Sequence, residues 1–140
     1  MQVKEVMTTR PQYLSADATI QEVAQTMRDL NTGFEPLVTN DKVVGVVTDR
    51  DIAIRGFTDG KAPGDKANTI ATEKVLYTYE DEDIEAVCQN MHDQQVQRLL
   101  VLNNQDNKDL VGIVTLGDIA DKCKDEKMAQ KIVNAARHYH

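Results

Sequence analysis

The chain has two cysteines, one serine, no excess of positive charge and no long apolar run. Each shortage removes a class of protein. Two cysteines in 140 residues do not make a disulfide framework, so a reducing, cytoplasmic setting is expected. No apolar stretch is long enough to span a bilayer, and Met1 to Arg10 alternates charge where a secretory leader would carry an apolar block. The net charge of −7 and a pI near 4.9 argue against a nucleic-acid backbone or an anionic membrane as the main partner. Ser15 is the only serine, so no serine nucleophile elbow is available. A P-loop and a dinucleotide glycine fingerprint are missing as well.

What the chain does have is a repeat. Val43-Val44-Gly45-Val46-Val47-Thr48-Asp49-Arg50-Asp51-Ile52-Ala53 has the outline of Leu110-Val111-Gly112-Ile113-Val114-Thr115-Leu116-Gly117-Asp118-Ile119-Ala120. Upstream, Val6, Tyr13, Ile20, Val23, Met27 and Asp29 align with Ile70, Tyr77, Ile84, Val87, Met91 and Asp93. The second copy is longer between Asn103 and Lys108, a polar stretch where insertion costs little. A period this long marks a repeated supersecondary unit.

Each copy reads as an apolar lead-in (Val3, Val6, Met7), an extended piece at Tyr13-Leu14, and a helix starting after Asp17. Ile20, Val23, Ala24, Met27 and Leu30 share one face of that helix, and Ile84, Val87, Cys88 and Met91 share the equivalent face. Two strands follow, Phe34 to Thr39 and Lys42 to Thr48, joined by the tight-turn pair Asn40-Asp41. Their counterparts are Arg98 to Leu102 and Leu110 to Thr115, and a second helix closes each copy. The expected organisation is a first repeat over residues 1–58, a linker over 59–66 holding Gly60, Pro63 and Gly64, a second repeat over 67–123 and a helical tail over 124–140. In the tail Met128, Ala129, Ile132, Val133 and Ala136 form an apolar stripe that needs a surface, its own or a partner's.

The junction Thr48-x-x-Asp51 admits two readings. It is a capping box, in which Thr and Asp satisfy each other's main-chain amides at a helix start. It is also a pair that can hold the vicinal hydroxyls of a ribose, as an acidic residue does in dinucleotide folds. Its recurrence as Thr115-x-x-Asp118 suggests two equivalent sites. Arg50 and Arg55 supply local charge for a phosphate, where the second copy has Gly117 and Lys122. Arg10 and Lys74 occupy equivalent lead-in positions, and Arg98 starts a strand. Cys88 and His92 stand one helical turn apart, a spacing that suits a metal. Cys88, however, aligns with Ala24 as a small core residue, His92 with Arg28 as an exposed one, and no second ligand pair accompanies them; Cys123, His138 and His140 lie in or near the tail. The run Glu80-Asp81-Glu82-Asp83 reads as the charged first turn of a helix.

These features resemble the cystathionine-β-synthase (CBS) domain, present as a tandem pair or Bateman module of the small stand-alone prokaryotic type. The resemblance covers roughly residues 1–122 and is carried by Val6-Met7-Thr8-Thr9, Gly33-Phe34-Glu35-Pro36-Leu37-Val38 and the two Thr-x-x-Asp-Ile segments. Gln97-Arg98-Leu99-Leu100-Val101-Leu102 carries it in the second copy. It implies an α/β (α+β) fold of two β-α-β-β-α repeats about a pseudo-two-fold axis, with two clefts between the repeats that bind adenosine derivatives: AMP, ADP, ATP, NAD or S-adenosylmethionine. By that resemblance Thr48 and Asp51 hold one ribose, and Thr115 and Asp118 the other. Main chain at Gln12-Tyr13 and Leu76-Tyr77 meets the adenine edge, and Phe34-Glu35-Pro36 and Arg98-Leu99-Leu100 wall the bases. Leu100 stands where a proline is expected, and Ala71 where a methionine is.

The function expected is a non-catalytic adenine-nucleotide sensor without a catalytic cofactor or metal, forming a homodimer through helix–helix contacts and signalling to a regulated protein. A protein-interaction module without working ligand sites is the alternative, and a small nucleotide-processing enzyme a more distant one.

Overall fold

The structure, a computed structural model, describes residues 1–137. His138 and His140 lie outside the described residues. The elements run β1 (Leu14–Ser15), α1 (Ile20–Leu30), β2 (Phe34–Thr39), β3 (Lys42–Thr48) and α2 (Asp49–Asp51), which continues as a π-helical segment, Ile52–Phe57. Then come β4 (Tyr77–Tyr79), α3 (Ile84–Gln94), β5 (Arg98–Leu102), β6 (Leu110–Thr115), α4 (Leu116–Lys122) and α5 (Glu126–Ala136). Each sheet has three strands, with β1 and β4 parallel to the strand they flank and the hairpin pairs antiparallel. This is the repeated β-α-β-β-α order expected.

Local chemistry explains the elements. Asn40 and Asp41 take positive φ (52° and 65°), the left-handed pair a two-residue hairpin requires. The longer second hairpin is tied internally. Asn103 Oδ1 accepts from the amides of Asn104 (2.7 Å) and Asp109 (2.9 Å), and Asn104 Oδ1 from that of Asn107 (2.7 Å). Thr19 caps α1 by accepting from the Glu22 amide, and Asp83 caps α3 by accepting from that of Glu85. Asn31 and Gln95 end the two helices in the left-handed conformation. Ile84, Val87, Cys88 and Met91 are all buried, as their spacing predicts. On α1 the buried face is narrower than expected: Ile20, Val23 and Met27 are covered, while Ala24 and Leu30 are exposed.

The chain forms two compact units, one over Pro11–Val75 and one combining Met1–Arg10 with the chain from Leu76 onward. In the first, Ala67 and Ile70 pack with Ala18, Ile20, Val23, Met27, Leu37 and Val47. In the second, Val3 and Val6 pack with Ile84, Val87, Met91, Leu99, Val101 and Ile119, among others. Sequence repeat and compact unit therefore divide the chain differently, because each lead-in joins the core built by the other copy. The exchange is symmetrical down to main-chain bonds. Ala67 N donates to Ala18 O (2.9 Å) as Val3 N does to Glu82 O (2.9 Å), and Ile20 N to Asp65 O (2.9 Å) as Ile84 N does to Met1 O (3.0 Å). Thr72 bridges to Val46 and Thr8 to Ile113. A Cβ on Gly112 would lie 2.7 Å from Met7 Sδ and 3.0 Å from Thr8 O, so glycine lets the lead-in lie against β6.

α5 finds its surface on its own unit, against α3 and α4. Met128 and Ala135 are buried, and Ile132 is half-buried. Val133, Ala129 and Ala136 of the same stripe remain exposed. His92, expected at the surface, is half-buried because α5 covers it; its Nδ1 lies 3.1 Å from the Asn134 carbonyl oxygen.

Candidate functional site

In the first unit, β3 ends at Thr48 and the chain turns directly into α2. Thr48 Oγ1 accepts from the Asp51 amide (3.1 Å), and Asp51 Oδ2 accepts from the Thr48 amide (2.9 Å). The capping box is thus formed in full. It uses one carboxylate oxygen; the other, Oδ1, lies 3.9 Å from Arg55 Nε. Arg55 also donates to the Ile70 carbonyl (3.4 Å). Arg50 is exposed, with its amide donating to Asp49 Oδ1 (2.9 Å). Phe34 stands directly opposite Thr48 across the β2–β3 ladder, half-buried, and the buried Pro36 stands opposite Val46. Gln12 is exposed and Tyr13 half-buried just before β1.

The second unit repeats the arrangement. Thr115 Oγ1 accepts from the Asp118 amide (3.0 Å), and Asp118 Oδ2 from the Thr115 amide (3.0 Å). Among the described residues Asp118 has no cation within ion-pair distance, although Lys122 occupies the position of Arg55. Arg98 is half-buried opposite Thr115, and Leu100 is fully buried opposite Ile113. The Leu76 carbonyl accepts from Leu100 N (3.2 Å). Alternation along this parallel edge strand turns the main-chain groups of Tyr77 outward, away from β5. The Tyr77 ring meets Tyr79 edge-on, with centroids 5.7 Å apart, and Lys108 Nζ sits 5.8 Å above it.

Every expected residue of the first site thus lies in one unit, and every expected residue of the second site in the other. By sequence Asp49 and Lys108 have no role at the sites, and Glu35 belongs to the wall of the first base; the structure adds contacts for all three. Glu35 is fully buried and accepts from Thr32 Oγ1 (2.6 Å). Asp49 lies so close to Gly33 that a Cβ there would be 2.6 Å from its Oδ2. Lys108 reaches Tyr77 from the lengthened hairpin. The first two carry a legible signal, since they are acids where the second copy has Leu99 and Leu116. Cys88 and Cys123 are buried free thiols, and burial pushes both up from the ordinary thiol value. Among the described residues no three His, Cys, Asp or Glu side chains gather as a metal site, and no helix is long and apolar enough to cross a membrane.

The CBS-domain family model matches residues 3–55 and 67–125. An uncharacterized Bacillus subtilis protein, YlbB, is 38% identical over 120 residues, covering 84% of this chain and 79% of its own. The solved structure of hypoxic response protein 1, described with two coordinated zinc ions, is 30% identical with a TM-score of 0.76 and covers 87% of this chain and 98% of that one; the protein is from Mycobacterium tuberculosis. The CBS domain pair of protein MJ0100, solved with 5-methylthioadenosine and S-adenosyl-L-methionine, is 28% identical with a TM-score of 0.74, covering 86% and 94%. The chain belongs to the CBS-domain family, as a tandem pair with a helix, α5, after the second repeat.

Proposed function

We propose that the chain is a non-catalytic sensor of adenine nucleotides, of the AMP, ADP, ATP, NAD or S-adenosylmethionine class, acting in the cytoplasm as a homodimer that signals to a regulated protein. The observation that carries this is the Thr–Asp pair built twice with matching geometry, each with one carboxylate oxygen outside the capping bond. Capping does not compete with ribose binding. It holds the carboxylate where a diol can donate to it, while the Thr hydroxyl proton stays available for a ligand oxygen. The adenosine derivatives in the MJ0100 domain pair support the same ligand class. Main chain at Tyr13 and Tyr77 would meet the adenine edge, with Phe34, Pro36, Arg98 and Leu100 beside the base. Ligand would shift the population of conformations that a partner recognises. Since capping alone also explains both pairs, an interaction module without ligand is the second reading.

A thermal-shift screen with adenine nucleotides, followed by a turnover assay on each hit, separates the readings. Stabilisation without turnover is the expected result. Turnover would point to an enzyme, and no stabilisation by any nucleotide to an interaction module.

A further inference from the structure

The helices of the two units are covered unequally. In the second unit α5 packs against α3 and α4, where Cys88 is buried and Glu85 and His92 are half-buried. Their counterparts on α1, Ala24, Gln21 and Arg28, are all exposed. The uncovered helices are also the more apolar at their surface. Leu30 on α1 and Ile54 and Phe57 on the π-helical segment are exposed, Phe57 at 86%, where the second copy has Gln94, Asp121 and Lys124. The large apolar side chains exposed among the described residues include none from α3 or α4. α5 in turn is apolar on two sides. Met128, Ile132 and Ala135 face its own unit, while Ala129, Val133 and Ala136 recur at i, i+4 and i+7 and stay exposed, Val133 at 52%. A helix apolar on two sides fits between two surfaces. Charge distinguishes the candidates for the second surface. The first unit, Pro11–Val75, has ten acids and seven bases, with Asp29 and Asp59 exposed beside Leu30 and Phe57 in the chain. α5 and its C-cap residue have Lys127, Lys131 and Arg137 against Glu126, in a chain of net charge −7. Pairing first unit with first unit would oppose two acidic surfaces, whereas α5 brings a basic one.

Resting on the homodimer reading above, we infer that the outer stripe of α5 in one copy docks on the exposed α1 and π-helical surface of the first unit in a second copy. Two-fold symmetry makes this contact twice, once in each direction. The inner side of α5 covers its own unit, and the outer side meets the other copy. Leu30, Ile54 and Phe57 leave water in the dimer, which supplies the driving force. The opposite charges around them decide which surfaces meet.

Sedimentation equilibrium on the full chain tests this by reading the dimer dissociation constant. Phe57→Lys and Val133→Glu should each raise that constant about tenfold or more. Both side chains are exposed, so circular dichroism should show the fold unchanged in each variant. Phe57→Ser and Val133→Ser repeat the comparison without an added charge and should weaken the dimer in the same sense. Val44→Glu, at an exposed apolar residue of β3 away from both surfaces, should leave the constant unchanged. Mixing the Phe57→Lys and Val133→Glu proteins is the most specific arm. Their mixed dimer has one unaltered contact and one in which the introduced opposite charges meet, so it should form more tightly than either variant does alone. A Val133→Glu protein that dimerises like the unaltered chain overturns the inference, and if Phe57→Lys is weakened at the same time the first units pair with each other. A mixture no tighter than its components, or equal weakening by Val44→Glu, overturns it as well. A monomeric unaltered protein overturns both the inference and the homodimer reading, while nucleotide binding is decided separately by calorimetry.

Discussion

Replacing Asp51 by alanine separates capping from ligand binding. The substitution removes the acceptor of the Thr48 amide, while the Thr48 hydroxyl keeps its bond from the amide of residue 51. Half of the reciprocal cap is lost, which costs about 1 kcal/mol. The contact of Asp51 Oδ1 with Arg55 adds little, at 3.9 Å and with Arg55 52% exposed. For a chain of this size the melting midpoint should fall by roughly 3 °C. Affinity is a different matter. Losing a charged acceptor for a ribose hydroxyl should cost about 1.5–3 kcal/mol, or roughly 10–150-fold in Kd. Isothermal calorimetry well below the melting transition reads that second quantity without the first. Asp118→Ala is the internal control, because it loses the same cap without any contact to an arginine. Asp51→Asn should preserve most of the stability and still lose affinity. Unchanged affinity of Asp51→Ala for adenosine, AMP and ATP would refute the ribose role and leave capping as the whole purpose of the pair.

Other outcomes follow from the packing. Thr78 is buried with no hydrogen-bond partner for its hydroxyl among the described residues, at the position Leu14 holds in the first copy; Thr78→Val should raise stability by about 1 kcal/mol in urea unfolding. Burial raises the Cys88 thiol, so its contribution is complete below the unfolded thiol value near 8.5 and is lost as pH rises through its folded value. Unfolding free energy should therefore decline above about pH 8.5, and the Cys88→Ala variant should show a smaller decline over the same range. Light scattering at micromolar concentration should give a dimer mass with and without nucleotide, and a monomer under both conditions would exclude the dimer. Removing residues 125–140 should uncover α3 and α4 and lower stability, by more than the roughly 2–4 kcal/mol expected for Met128→Ala alone.

Most of the local structure was legible because its causes are local. The strand periodicity of Lys42 to Thr48, the pair Asn40-Asp41 and the Thr-x-x-Asp caps act within a few residues, and the structure places each where the pattern does. The exchange of lead-ins was not legible. Val3 and Val6 look the same whether they pack beside the first helix or beside α3, and the bonds from Val3 N to Glu82 O and from Ala67 N to Ala18 O join segments far apart in sequence. The same limit applies to α1, where Ala24 and Leu30 have the periodicity of a buried face but are left exposed by the other described residues. It applies in reverse to His92, which looked exposed until α5 folded across it. At the site, the Thr–Asp pairs and their flanking arginines were visible from spacing. The opposition of Arg98 to Thr115 and of Phe34 to Thr48 depends on strand register, which appears only when the hairpins are built.

The central claim, that two Thr–Asp pairs hold adenine nucleotides, is tested most directly by calorimetric titration of the full chain with adenosine, AMP, ATP and S-adenosylmethionine. The same series is then run on Asp51→Ala/Asp118→Ala. Saturable binding of at least one of these compounds to the unaltered protein, reduced about tenfold or more in the double variant, is the result predicted. Absence of binding by all four, or equal affinity in the double variant, would contradict it.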